Sequence, residues 1–302
     1  MISTQKISKK YGNYRALKYL NLDIPKGEIF GLLGPNGAGK TTFIRIINQI
    51  TMPDTGKIFF DGAILKREDV IAIGYLPEER GLYKNMKVGE QALYFAQLKG
   101  LSKKEAKKRL TFWFDRLGIS SWWGKKLSEL SKGMAQKVQF VTTVLHQPKL
   151  LIFDEPFSGF DPVNAEVIKN EILYLKKQGT SVIFSTHRME SVEEMCDKIA
   201  LMNQGEIILE GNVKDIKNRF KNNEYQIIFK DFERTKFEQF RNHVEILEAK
   251  EDGLELRLKV KQKTAINLLS EASQIGTITT YSEILPTMNE VFINAVKKAQ
   301  NE

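Results

Sequence analysis

Residues 34–41 constrain this chain more than any other stretch. They read Gly34-Pro35-Asn36-Gly37-Ala38-Gly39-Lys40-Thr41 and fit the pattern G-x-x-x-x-G-K-[ST]. Glycines in such a loop let a ligand touch the backbone, and successive N–H groups form an anion nest. Lys40 is placed to reach β- and γ-phosphates, and the Thr41 hydroxyl to ligate Mg²⁺. The flanks suit this chemistry. Glu28-Ile29-Phe30-Gly31-Leu32-Leu33 reads as a buried strand, and Thr42-Phe43-Ile44-Arg45-Ile46-Ile47 as a helix whose N-terminus faces the phosphates. A glycine-rich turn with a chance lysine would not need that strand and helix around it.

The chain has 302 residues, enough for one to three domains, with 42 % hydrophobic and 27 % charged residues. That balance predicts a soluble globular protein. No apolar run approaches the length needed to span a bilayer, and the N-terminus lacks the apolar core of a signal peptide. A cytosolic location is expected. The single cysteine, Cys196, excludes an intrachain disulfide framework. The net charge of +9 fits an anionic partner, or simply a basic surface with no specific partner.

The first thirty residues predict strand, turn and strand, with Tyr11-Gly12-Asn13-Tyr14 as the turn and Leu20, Leu22 and Ile24 alternating inward. Tyr11 is on spacing alone a turn tyrosine, or else an aromatic platform for a nucleobase. Residues 71–76 read as a buried strand stopped by Pro77, and the polar loop Glu78-Glu79-Arg80-Gly81 follows. Loops past strand ends are where ligands sit in open α/β sheets. From about 86 to 147 the pattern is helical. Ser102 and Glu105 have the spacing of a capping box, and Trp122-Trp123 sit in a loop as core, interface or ligand contacts. Leu130-Ser131-Lys132-Gly133-Met134 opens another helix, with Ser131 and Gly133 at its N-terminus.

Leu150-Leu151-Ile152-Phe153 is a short apolar run suited to a central parallel strand, ending in Asp154-Glu155. Asp154 is placed to hold Mg²⁺, and Glu155 to orient or deprotonate a water aimed at a γ-phosphate. Ser158-Gly159-Phe160-Asp161-Pro162 forms a turn. Ser181 to Thr186 is one more strand, and His187 lies just past its end with the other candidates.

Taken in this order, the pieces resemble the ATP-binding subunit of ATP-binding cassette (ABC) transporters over roughly residues 1–218. Residues 34–41 resemble Walker A, 150–155 Walker B, 130–134 the signature motif, 158–161 the D-loop and His187 the switch histidine. Two departures, Glu78 at the usual Q-loop glutamine and Lys132 and Met134 in the signature, resemble the sodium-extrusion and ABC-2 type exporter branch. The resemblance implies an α/β fold: a RecA-like P-loop core with an antiparallel β edge and an inserted helical subdomain near 86–147. It implies ATP contacts from Tyr11, from Gly34, Pro35, Asn36, Gly37, Ala38, Gly39, Lys40, Thr41 and Thr42, and from Ser131, Gly133 and Asp161. Thr41, Glu78 and Asp154 would hold Mg²⁺, and Glu155 and His187 would act in catalysis. It also implies a head-to-tail dimer of two copies, each nucleotide held between the loop of one and Ser131/Gly133 of the other. A separately encoded membrane permease would hold the pair at the cytosolic face of the membrane. Nucleic acid is then not the expected partner. The rival expectation is a soluble cassette ATPase acting on ribosomes or nucleic acid, and a third is a regulator that binds nucleotide without hydrolysis.

Residues 221–302 read as a separate small α+β domain. Leu254, Leu256, Leu258 and Val260 alternate as a half-buried strand, and Glu251-Asp252-Gly253 turns it back onto 244–247. A helix near 264–273, a strand near 277–284 and a last helix opened by Thr287 and Glu290 follow. The tail carries no catalytic constellation, so regulation or dimer contact is its expected role.

Overall fold

A computed structural model describes residues 1–78, 81–157, 160–263 and 267–301. The chain folds as two compact units, Met1–Val213 with Ala295–Glu302, and Lys214–Asn294.

In the first unit, β1 (Ile2–Tyr11) and β2 (Tyr14–Ile24) form a hairpin in which Tyr11 pairs with Tyr14 across the turn. Next come β3 (Ile29–Leu33), the glycine loop, α1 (Lys40–Ile47), β4 (Thr55–Phe60), β5 (Ala63–Ile64) and β6 (Ile73–Leu76). Ile71 and Ala72, expected in the strand, instead close a 3₁₀ turn over Arg67–Ala72. Both lie outside the parallel pairing with the neighbouring strand, which starts at Ile73.

The helical stretch holds α2 (Val88–Leu98), α3 (Lys103–Arg116) and α4 (Lys132–Val144). Ser102 caps α3 by accepting from the Glu105 N–H at 3.2 Å. Ala106, Leu110, Trp113 and Phe114 turn one face of α3 inward. Trp122 ends a 3₁₀ turn. Trp123 is a packing residue: it meets Phe114 edge-on at 5.4 Å, and a β-carbon on Gly89 would lie 2.3 Å from its indole.

After α4 come β7 (Leu150–Asp154), α5 (Pro162–Lys177), β8 (Ser181–Ser185), α6 (Met189–Met195), β9 (Lys198–Asn203) and β10 (Glu206–Asn212), and α7 (Val213–Arg219) begins at the boundary with the second unit. One sheet runs β2-β1-β4-β5 and is antiparallel. The other runs β10-β9-β3-β8-β7-β6, parallel except at its β10 edge. Strands β3, β7 and β8 are buried along their whole length. Their near-continuous apolar sequences are what a sheet covered on both faces requires. Each Leu, Ile or Phe so buried contributes about 1.5–3 kcal/mol. Register brings the strand ends together: Asp154 pairs with Ser185, and Ser185 with Leu32. The carboxyl ends of β3, β8 and β7 therefore open at one place.

The second unit contains β11 (Glu224–Phe232), α8 (Arg234–Phe240), β12 (Val244–Asp252), β13 (Glu255–Gln262), α9 (Leu268–Ser273) and β14 (Gly276–Ile284). The helix α10 (Met288–Asn301) ends the chain. The strand order β12-β13-β11-β14, all antiparallel, with β-α-β-β-α-β succession, is the ferredoxin-like split arrangement. Ile227, Phe229, Leu256, Leu258 and Val260 meet Phe237, Phe240, Leu268 and Ala272 in its core. Residues 264–266 of the expected helix lie outside the described residues.

Candidate active site

The loop between β3 and α1 has a shape that only glycine allows at two points. Gly34 has φ +147°, and a β-carbon there would lie 2.3 Å from the Met202 carbonyl oxygen. Gly39 has φ +109°, and its β-carbon would lie 2.6 Å from the Ala16 carbonyl oxygen. The loop is thus wedged at both ends against neighbouring backbone. Gly39 is also the N-cap of α1, with no side-chain cap and no acidic residue in the first turn. That leaves the helix N-terminus, with its free N–H groups and positive dipole end, to an anion.

Lys40 folds back over this loop and donates to the carbonyls of Gly34 at 2.7 Å and Pro35 at 3.1 Å. Burial pulls its ammonium below the usual lysine range, and Glu155, Asp154 and Glu78 pull it back up. Thr41 and Thr42 follow in the first turn of α1. Asp154 ends β7 and is 5 % exposed. Burial, with the like charges of Glu155 and Glu78, pushes its carboxyl above the usual range, while Lys40 opposes the shift.

Glu155 sits at φ +50°, a left-handed conformation unusual for a non-glycine residue. It takes the backbone out of β7 and turns its carboxylate toward the end of β8. There Oε1 accepts from the His187 backbone N–H at 2.9 Å and lies 2.7 Å from His187 Nδ1. The Thr186 hydroxyl donates to Oε2 at 3.2 Å. His187 stays largely exposed while Glu155 does not.

The structure therefore brings Lys40, Glu78, Asp154, Glu155 and His187 to the strand ends around the loop. Tyr11 is at the end of β1, half-exposed, with Lys9 Nζ 5.7 Å from its ring centre. Ser131 and Asp161 cap their own helices. The Ser131 hydroxyl accepts from Met134 N–H at 3.3 Å, and Asp161 from Asn164 N–H at 3.0 Å. Among the described residues no hydrogen bond joins either to the phosphate loop. Gly133 lies in the first turn of α4, 3.7 Å from the Phe160 ring when measured from an ideal β-carbon. Ser158 and Gly159 of the expected turn, and Glu79 and Arg80 after Glu78, lie outside the described residues.

The donor set suits a nucleotide triphosphate with Mg²⁺. A glycine nest and a buried lysine face an anion, and carboxylates stand beside a hydroxyl-bearing first turn. Among the described residues no group of three or more His, Cys, Asp and Glu could hold a metal ion by itself.

Two glutamines of structural importance belong to no motif in the sequence. Gln139 on α4 donates to the Pro77 carbonyl at 3.4 Å, and Gln91 on α2 accepts from the Tyr83 N–H at 3.0 Å. They tie both ends of the loop that carries Glu78 to the helical stretch. A signal for them exists: each glutamine falls on the buried face of an amphipathic helix.

Residues 17–158 match the family model described as ABC transporter. Residues 211–296 match the ATP-binding protein DrrA1-3-like C-terminal domain. The chain is 41 % identical over 298 residues to an uncharacterized ABC transporter ATP-binding protein, YhaQ, of Bacillus subtilis, covering 98 % of each. It is 36 % identical to the linearmycin resistance ATP-binding protein LnrL of the same organism, over 72 % of this chain and 71 % of that one. A solved ATP-binding subunit of an ABC transporter superposes with a TM-score of 0.68 at 29 % identity, covering 73 % of this chain and 93 % of that one. The chain belongs to the ATP-binding proteins of ABC transporters and is the ATPase subunit of such a transporter.

Proposed function

We propose that this ATPase powers export through a separate membrane permease, working as a head-to-tail dimer on the cytosolic face of the membrane. The observation that carries the coupling is the setting of the Glu78 loop. Its two ends are held by Gln139 and Gln91, and Pro77, Gly81 and Leu82 line a cleft of about 620 Å³. Ile50, Ile71 and Leu98 stand exposed around that cleft, and among the described residues of its lining Arg67 and Lys99 are cations and none is a carboxylate. A cytosolic segment of the permease, apolar with an acidic residue, fits that chemistry. Pressure on the cleft would reach Glu78, beside the Asp154–Lys40 cluster, within one loop.

Residues 1–218 make the ATPase module in this reading, and 221–302 a small α+β domain for regulation or dimer contact. Tyr11 takes the adenine, residues 34–42 the phosphates, and Thr41, Glu78 and Asp154 the Mg²⁺. Bound Mg²⁺ would offset charge on the β- and γ-phosphates. Glu155 holds the proton of the attacking water, and His187 fixes the Glu155 carboxylate. Ser131, Gly133 and Asp161 serve the nucleotide of the partner copy in this reading. Support for export comes from LnrL, whose name assigns it to linearmycin resistance.

No helix among the described residues is long and apolar enough to cross a membrane. The test is recruitment. Co-expression with a candidate permease should carry the chain to the membrane fraction and raise its ATPase rate. Salt-sensitive association with ribosomes instead, without membrane recruitment, would reject the reading. The ribosome or nucleic-acid alternative has no support in the relatives named above, which are transporter ATP-binding proteins.

A further inference from the structure

We infer that Tyr14 is a positioning residue for ATP, acting through the crown of the phosphate loop. Its hydroxyl donates to the Gly37 carbonyl oxygen at 2.7 Å. The remainder of the loop is held by other means. Gly34 and Gly39 are wedged against the Met202 and Ala16 carbonyls. The Ala38 carbonyl accepts from Gly205 N–H at 2.9 Å, and Ala38 itself is buried. Gly37 differs. It has φ +80°, and a β-carbon there would meet nothing within 4 Å. Among the described residues nothing walls that side of Gly37, and hydrogen bonds set its peptide plane. The Gly37 carbonyl is held by Tyr14, and the Ala38 N–H of the same peptide donates to the Pro35 carbonyl at 3.2 Å. A rotation of this plane would change the direction of the N–H groups that make the nest.

The position of Tyr14 adds a second link. Tyr11 and Tyr14 are paired across the hairpin turn. One hairpin thus carries the proposed adenine platform on one strand and the tether of the phosphate loop on the other. The hydroxyl fixes the loop relative to the base platform before nucleotide arrives. A space of about 310 Å³, lined by Asn13, Tyr14, Arg15, Asn36, Gly37 and Gln204 among others, lies beside the bond, so the ring could move without the hydroxyl's hold. Tyr14 is 54 % exposed, and water competes for the bond. The effect is therefore modest, the size of one ordinary hydrogen bond.

The inference rests on nucleotide binding at residues 34–42. Tyr14→Phe removes only the hydroxyl, and Tyr19→Phe, an exposed tyrosine of the same strand, is the control. Three quantities are compared with wild type: the Kd for ATP and for inorganic tripolyphosphate, kcat and KM, and hydrogen exchange over 34–40 in nucleotide-free chain. Tyr14→Phe should weaken ATP and tripolyphosphate alike by about three- to tenfold. KM should rise with kcat within about twofold, since the bond is made before chemistry. Amides of the crown should exchange faster without ligand. Tyr19→Phe should match wild type in all three. Unchanged loop exchange and unchanged tripolyphosphate affinity in Tyr14→Phe would overturn the tether. Wild-type chain that binds no ATP would instead reject the nucleotide site, while the exchange measurement would still decide the tether.

Discussion

Glu155 is bound twice by His187: one carboxylate oxygen accepts the histidine backbone N–H at 2.9 Å and faces its ring Nδ1 at 2.7 Å. Glu155 also adopts φ +50°. Left-handed backbone costs a non-glycine residue about 1–2 kcal/mol. Here it coincides with a carboxylate held at the strand ends by His187 and Thr186.

The two carboxylates flanking the site should separate by role. Glu155→Gln keeps shape and loses basicity, so ATP turnover should fall about a hundredfold or more, on the order of 3 kcal/mol of transition-state stabilisation. ATP binding should survive, and the ATP-bound dimer should accumulate. Glu78→Gln keeps an oxygen for a metal or its water and should stay within about tenfold of wild type, roughly 1.4 kcal/mol. Steady-state ATPase with and without permease distinguishes them. A silent Glu155→Gln beside a crippled Glu78→Gln would reverse the assignment.

His187→Ala should lower turnover about tenfold or more while leaving ATP affinity within about twofold, because it removes the ring contact to the Glu155 carboxylate without touching the loop. The backbone N–H of residue 187 and the Thr186 hydroxyl remain as partners, so the loss should be smaller than for Glu155→Gln. Single-turnover hydrolysis at saturating ATP checks this. A loss confined to KM would place His187 in binding instead.

Lys40→Ala removes the cation that sits between the loop carbonyls and the Asp154, Glu155 and Glu78 carboxylates. ATP affinity should drop by about thirtyfold or more, corresponding to about 2 kcal/mol or above. Calorimetric titration with ATP is the measurement, and near-wild-type affinity would remove the phosphate-loop assignment.

What is legible in the sequence is local. The pattern at 34–41, the apolar run ending in Asp154-Glu155 and the strand ending before His187 are each written in fewer than ten consecutive residues, and strand register then gathers them. The contacts that tune the site are long-range and leave little trace. Tyr14 reads as a turn residue until the fold brings Gly37 to its hydroxyl, and Gln91 as a helix residue until Tyr83 meets it. The C-terminal sheet is half legible. The alternation of Leu256, Leu258 and Val260 marks β13, but Leu254, read with them, is exposed in the turn, and Glu251 and Asp252, read as that turn, end β12. Strand β11 escapes a reading by period, because Ile227, Ile228 and Phe229 run together and blur it. Ile71 and Ala72 read as strand by their apolarity alone, which a 3₁₀ turn satisfies equally well.

The last expectation concerns acid. His146 follows α4, and among the described residues neither ring nitrogen finds a hydrogen-bond partner. Burial, aided by the nearby charges of Lys99 and Arg109, pulls its pKa from 6.5 down to about 4. The nearby Ile73 carbonyl, which also accepts from Lys99 Nζ at 2.8 Å, pulls the other way. Above about pH 6.5 the ring is neutral folded or unfolded, and it adds no pH dependence. As pH falls below that, the unfolded chain binds a proton that the folded chain refuses, so stability declines until the folded ring also charges near pH 4. By pH 5 the loss from this one residue should be about 2 kcal/mol relative to pH 7. Urea unfolding followed by tryptophan fluorescence reports on the correct unit, since Trp113, Trp122 and Trp123 all lie within it. His146→Leu removes two unpartnered polar atoms and should be at least as stable as wild type at pH 7. Its stability should also fall less between pH 7 and pH 5, by about the same 2 kcal/mol. Equal losses in wild type and variant would mean that His146 is not the group held neutral.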